Sequence, residues 1–287
     1  MPDYIIRPMT PMEVQTAIQW AADEGWNPGL SDADSFLSVD PQGFWGGFLD
    51  GEMIASISVV NYDETFAFLG FYIVRPEFRG EGLGLELWLT AIAHAEGRLV
   101  GLDGVVQEQE NYRKSGFTLA YRNIRQHGSV AALLAQLPPP RPEIAALSEI
   151  SPQQLQYDRS VFPAPRAAFL QTWQTAPGHH ARAVWGQGEL RGYAVLRPCR
   201  DGYKIGPLFA DDKETARDLM AAVLDQVPAN QRSQTVYLDT PDCNDAAMAL
   251  AGELEMEPVF ETARMYTGPA PDIDMTRIFG VTSFELG

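Results

Sequence analysis

In the stretch Tyr72–Gly84, YIVRPEFRGEGLG, an apolar strand ends at Pro76, a glycine-rich turn follows, and an amphipathic helix begins at once. Glycines at 80, 82 and 84 let the backbone turn tightly and bring its N–H groups close to an anion. Those N–H groups sit at a helix N-terminus, where unpaired donors and the helix dipole favour phosphate. Arg79 adds a permanent cation. A dinucleotide-binding turn needs GxGxxG, whereas Gly80–Gly84 spells GxGxG after a strand in an antiparallel run. The absence of a Gly-Lys-Ser/Thr ending excludes a P-loop.

Working outward, the first half opens with a short strand, Tyr4–Ile6. A capping box follows at Thr10-Pro11-Met12-Glu13, and Val14, Ala17, Ile18 and Ala21 then mark one buried helix face. Strand-like runs lie at Phe44–Leu49, Met53–Val60 and Thr65–Val74, with Asp50-Gly51 as a hairpin turn. The helix after Gly82 is expected to bury Leu85, Trp88, Leu89 and Ile92. A strand near Val105, a short helix around Asn111 and a last strand at Phe117–Ile124 complete the half.

The plan then repeats. Ser151-Pro152-Gln153-Gln154 is a second capping box, followed by strands at Ala181–Trp185, Leu190–Leu196 and Tyr203–Phe209. A helix carrying Ala216, Leu219, Met220 and Val223, a strand at Val236–Leu238, a helix at Asp245–Leu254 and a strand at Val259–Met265 follow. Four prolines in Gln136–Pro142, QLPPPRP, interrupt any helix or central strand and mark the join. A tandem duplication is expected, with units at 1–135 and 146–287 around a linker at 136–145. Two domains also suit 287 residues at roughly 100–200 per domain.

The net charge of −17 disfavours nucleic acid. Residues 1–140 carry 8 Lys+Arg against 18 Asp+Glu, and the remainder 13 against 20, so both halves are acidic. Such a field attracts a cationic substrate such as an amine, or simply keeps the protein soluble. No apolar run approaches the ~20 residues of a membrane span, and MPDYIIRPMT shows no secretory pattern. Cys199 and Cys243 have no paired spacing. These features point to a cytoplasmic protein. His94, His127, His179 and His180 lack metal-ligand spacing, so no metal is expected.

VRPEFRGEGLG resembles the acetyl-CoA-binding signature of the GNAT (GCN5-related N-acetyltransferase) superfamily, R/Q-x-x-G-x-G/A, here Arg79-Gly80-Glu81-Gly82-Leu83-Gly84. The family's later Y-x-x-x-G-F element is matched by Tyr112–Phe117. The resemblance implies an α/β (α+β) fold of two GNAT-like domains, each a mixed, mostly antiparallel sheet flanked by helices. It also implies direct acetyl transfer from acetyl-CoA to an amine. Pyrophosphate would lie on the N–H groups of Arg79, Gly80, Glu81, Gly82, Leu83 and Gly84, and pantetheine would pair with Ile73 and Val74. An N–H near Val74 would hold the oxyanion. Tyr112 matches the tyrosine that protonates the departing thiolate. Asn111 and Lys114 are further CoA contacts, although Lys114 suits a solvated helix face equally. The family's N-x-x-A ahead of the tyrosine is missing here, where Val105 and Glu108 stand.

In the second copy, Ala210 replaces the arginine, Asp211, Lys213 and Thr215 replace the glycines, and Ala251 replaces the tyrosine. Asn244–Ala247 keeps N-x-x-A. The second half therefore reads as a degenerate GNAT-like scaffold. In the first half, Glu24–Gly29 falls where the family lines its acceptor site. Trp26 and Asn27 are thus substrate candidates, or parts of a proline-glycine turn, and Glu24 and Asp32 are general-base candidates. The function expected is N-acetylation of a small-molecule amine in one active site. The alternatives are a longer acyl donor and a non-catalytic acyl-CoA-binding sensor.

Overall fold

The computed structural model describes residues 3–287; Met1 and Pro2, which open the first expected unit, lie outside the described residues. The first half contains β1 (Tyr4–Pro8), α1 (Pro11–Asp23), α2 (Asp32–Leu37), β2 (Phe44–Leu49), β3 (Glu52–Asn61) and β4 (Phe66–Val74). It continues with α3 (Leu83–Ile92), β5 (Leu99–Val105), α4 (Gln109–Lys114), β6 (Thr118–Ser129) and α5 (Val130–Gln136). The second half contains β7 (Ala145–Ala146), α6 (Pro152–Val161), α7 (Ala167–Thr175), β8 (His180–Gly186), β9 (Glu189–Pro198) and β10 (Tyr203–Ala210). It ends with α8 (Lys213–Leu224), β11 (Thr235–Pro241), α9 (Asp245–Glu253), β12 (Glu257–Tyr266) and β13 (Ile278–Gly280).

Local chemistry accounts for most boundaries. Thr10 and Glu13 form the reciprocal capping box of α1, with Pro11 at the first helical position. Ser151 caps α6 by accepting the Gln154 N–H, but the Gln154 side chain turns inward to donate to Gln174, so the box is half made. Asp50 and Gly51 take positive φ (49° and 86°), as a two-residue hairpin requires. The face of α3 differs from its expected one. Leu85 and Leu89 are about 60% exposed, and Leu87, Trp88 and Ala91 are the buried residues. Of the expected face, Trp88 and Ile92 do pack into this core, and only the two leucines fall outside it. Helices α2, α5 and α7 carry no expected counterpart; two of the three have fewer than eight residues, too short for a periodic signal.

Both halves join one mixed, mostly antiparallel sheet in the order β1-β2-β3-β4-β5-β12-β6-β11-β10-β9-β8-β7, with β13 beside β10. The closing strands are exchanged. β6 pairs with β11 of the second half, and β12 pairs with β5 of the first. The only parallel pairs among the described residues are β4–β5 and β10–β11, at equivalent places. Each exchanged strand is pinned by a buried ion pair directly across the register. Arg125 on β6 grips Asp239 on β11 through Nε and Nη2 (2.6 and 2.8 Å), and Arg264 on β12 grips Asp103 on β5 through the same nitrogens (3.0 and 2.6 Å). The core follows the exchange. Val14, Ile18 and Phe36 of the first half pack in one apolar cluster with Phe169 and Trp173 of the second, and Ala263 and Met265 of β12 fill the core beneath α3.

Candidate active site

Strands β4 and β5 are paired only from Phe66/Leu99 to Leu69/Leu102, and then they part. A bulge marks the point of divergence. The β3–β4 register slips between Ser56 and Ser58, and Phe71 adopts φ +50°, in the left-handed region that non-glycine residues seldom visit. The bulge also reverses the faces of β4. Ala67 and Leu69 pack under α3, whereas beyond the bulge Tyr72 and Val74 take that side and Phe71 and Ile73 turn to the opposite core. The parted strands open a cleft of about 720 Å³.

One side of the cleft is backbone. Arg75 N–H donates to Ile54 O across the β3–β4 ladder, while the Val74 carbonyl accepts Arg79 Nε at 2.7 Å. Backbone groups alternate along a strand, so the Val74 peptide N–H also faces the cleft. At the mouth, Gly80 and Gly82 take φ of +84° and +85°, with nothing within 4 Å of where a side chain would begin. A side chain at either would be strained and would stand in that open space. Gly82 is the N-cap of α3, which leaves the N–H groups of the first turn directed outward. Gly84 has another role: its missing Cβ is the space taken by the Tyr72 hydroxyl and Val74.

Tyr112 reaches the cleft from α4. Its ring stacks on Trp88 (5.8 Å between centroids) and lies against the Cα of Gly104. Its hydroxyl has no hydrogen-bond partner among the described residues, and burial, with Glu108 and Tyr72 adding, holds the phenol protonated far above neutral pH. Trp26 and Glu24 also line the cleft, as do Ile73, Val74, Arg79, Gly80, Gly82 and Gly84. Arg79 does not hang free beside the glycines, since Glu24 pairs with it at 2.5 Å. Glu24 is thereby committed to a cation.

Other residues singled out in the sequence lie elsewhere. Glu81, Leu83, Asn111 and Lys114 do not line the cleft, and Asn111 donates to Glu108 instead. Asn27 holds Asp201 of the second half through two 2.9 Å hydrogen bonds to its backbone. Asp32 is buried, accepts the Gly29 N–H and pairs with Arg197 at 3.2 Å, which removes it from general-base duty.

His179 lies in that same buried cluster, and burial pushes its imidazole down to about 4. Nδ1 meets the Trp173 carbonyl at 2.6 Å and Nε2 has no partner, so the neutral ring is the native form. Below about pH 6.5 the unfolded chain takes up a proton that the folded chain refuses. Stability is therefore full above that pH and falls until about pH 4, a loss of the order of 3 kcal/mol. Urea midpoints at pH 7.5 and 5.0 are expected to differ less in His179→Gln than in the parent; equal differences would contradict the assignment.

The corresponding opening in the second half is filled by its own chain. β10 and β11 pair from Tyr203/Val236 to Ile205/Leu238, and β13 then enters beside Leu208 and Phe209, with Val281 N–H donating to Asp239 O. At the start of α8, Asp212 accepts the Thr215 N–H at 2.8 Å, so a carboxylate occupies the anion position. Asn244 donates to the carbonyls of Met275, Thr276 and Ile278 and thus holds β13 in place. Sequence inspection missed Asp103, Phe260, Thr262, Phe284 and Glu285, all of which line the first cleft. All five come from strand or tail segments, Asp103 from β5, Phe260 and Thr262 from β12, and Phe284 and Glu285 from the residues after β13.

Residues 11–117 match the model of the Acetyltransferase (GNAT) family, and residues 154–280 that of an Acetyltransferase (GNAT) domain. Over 283 residues the chain is 34% identical to holothin acyltransferase of Pseudoalteromonas sp. (strain SANK 73390), covering 98% of this chain and 94% of that protein. A Pyrococcus horikoshii protein provisionally described as an acetyltransferase has a similar fold, with TM-score 0.82 and 20% identity over 99% of this chain and 96% of that one. A tandem GNAT protein from the clavulanic acid biosynthesis pathway gives TM-score 0.64 and 16% identity over 93% and 100%. Among the described residues no group of side chains could hold a metal, and no helix is long and apolar enough to cross a membrane.

Proposed function

The chain belongs to the GNAT acyltransferases as a tandem protein, and from that premise we propose that it moves an acetyl group from acetyl-CoA to a primary amine on a small molecule, by direct transfer in one active site in the first half. The observation that carries this is the conjunction of the open Gly80–Gly82 cradle, the parted β4–β5 edge and the unpartnered Tyr112 hydroxyl in one cleft. The first-turn N–H groups of α3 would take the pyrophosphate. Pantetheine would lie along Ile73 and Val74 as an added strand, and the Val74 N–H would face the carbonyl oxygen as it gains charge. Amine attack forms the C–N bond and breaks the C–S bond, and Tyr112 gives its proton to the sulfur. The attacking nitrogen sheds a proton as the amide forms, and the phenolate, a stronger base than the thiolate, takes it up and is restored. A small-molecule acceptor is supported by the relative named for acyl transfer to holothin. The second half serves as scaffold, because β13 and Asp212 stand where its donor would bind.

Calorimetric titration with acetyl-CoA tests this. One site per chain is expected, and Gly82→Glu is expected to abolish it by strain at positive φ and by charge. Two sites per chain would overturn the scaffold role of the second half, and no binding would overturn the proposal.

A further inference from the structure

The segment after β13, residues 281–287, leaves the second half and ends against the first. Thr282 accepts Arg166 Nη1 at 3.0 Å, Leu286 N–H donates to Ser283 Oγ at 3.1 Å, and the Leu286 carbonyl accepts the Tyr62 hydroxyl at 2.8 Å. The backbone of Glu285 lies directly on Gly70, the residue before the β4 bulge. A Cβ at Gly70 would stand 2.3 Å from the Glu285 carbonyl oxygen. The absence of a side chain there admits the tail into the wall of the cleft.

Four carboxylates line that cleft, and three are engaged. Glu24 pairs with Arg79, Asp103 is gripped by Arg264 and Asn123, and Glu108 accepts from Asn111. Glu285 is only 4% exposed, yet its carboxylate has neither a hydrogen bond nor an ion pair among the described residues. A carboxylate this deeply set, with no direct hydrogen bond, is left with acceptor capacity toward the cleft its residue lines. Facing it are the charges of Arg125 on β6, which is bound to Asp239 of β11, and of Lys204 on β10, which donates to the Trp26 carbonyl at 3.0 Å; neither cation makes a direct hydrogen bond to Glu285 among the described residues. Phe284 and Phe260, 6.3 Å apart between centroids, line the same space with Trp26, and the Arg125 guanidinium lies over both phenyl rings.

We infer that Glu285, carried across from the second half on the C-terminal tail, receives the acceptor's ammonium and takes its proton, in a chamber walled for a small ring-bearing primary amine. The role rests on the acyl transfer proposed above. The Glu285 carboxylate removes one proton from R–NH₃⁺ and later releases it to solvent. The freed amine attacks the thioester carbon, the C–S bond breaks, and the sulfur takes the Tyr112 proton. The second nitrogen proton restores the phenol. The second half thus completes the active site of the first, with the slot of one half holding the strand that delivers a residue to the other.

The test uses the full chain, acetyl-CoA and phenethylamine, with CoA release as the readout and acetyl-CoA affinity measured in parallel. Glu285→Gln is expected to lower kcat/KM for the amine about 10²-fold or more, the range of a lost general base, with acetyl-CoA affinity within twofold of the parent. Glu285→Asp should recover part of the loss. Gly70→Ala, which displaces the tail without altering its chemistry, should raise the amine KM while acetyl-CoA still binds. Parental kcat/KM in Glu285→Gln would overturn the role of Glu285. Acetyl-CoA binding with no turnover of phenethylamine would overturn the ring-amine chamber and leave the acyl-CoA site standing. Failure of the parent to bind acetyl-CoA would instead remove the underlying acyl transfer.

Discussion

Tyr112→Phe is expected to cut the rate of CoA release by about 10²-fold or more while acetyl-CoA binds as before, because a positioned general acid contributes roughly 10²–10⁴-fold. The substitution removes one oxygen and leaves the ring, so the stacking on Trp88 and the contact with Gly104 survive. Nothing within the protein is left unpaired, since the hydroxyl has no partner among the described residues. The loss should therefore fall on kcat, with the KM for acetyl-CoA nearly unchanged, the signature of an interaction made only as the thiolate departs. Initial rates with a thiol-reactive dye, together with a calorimetric titration of the variant, separate the two. Unchanged turnover would remove Tyr112 from the chemistry.

Asp239→Ala is expected to destabilise the fold by about 3–5 kcal/mol, the cost of stranding one member of a buried ion pair. Arg125 would remain on β6 among Phe284, Phe260 and the Trp26 carbonyl, its two-point partner gone and only Glu285, which makes no direct bond to it, opposite. Native stability is only about 5–15 kcal/mol, so the effect is a large share of the whole. The double variant Arg125→Met with Asp239→Leu should recover most of the loss, because an apolar pair of similar volume avoids the desolvation of both charges. Urea unfolding followed by tryptophan fluorescence measures both. A single variant as stable as the parent would mean that the exchange of β6 is held by its backbone ladder alone.

The glycine turn that lines the cleft was legible in the chain because its information is local. Gly80, Gly82 and the helix that follows lie within a few residues, and their spacing alone dictates a turn with outward N–H groups. Tyr112 was legible through its own short element. The acceptor side was not. Trp26 belongs to a loop that the sequence marks, but Asp32 looked like a free carboxylate and proved to be the partner of Arg197, 165 positions away. Glu24 reached the cleft and was found there already paired with Arg79. In each case the function of a carboxylate depends on which cation lies beside it, and sequence distance says nothing about that.

The amino-acid sequence by itself determined the duplicated plan, the glycine turn before α3 and the tyrosine-bearing helix that shares its cleft, because each is written in short-range spacing, capping and turn chemistry. Only the tertiary structure decided that β6 and β12 change places, that β13 closes the second slot and that Glu285 enters the first. A strand's hydrophobic pattern specifies which face it buries but not which neighbour it pairs with. In the assembled sheet a buried Arg–Asp pair lies across each exchanged strand, and Gly70, lacking a side chain, leaves room for the tail.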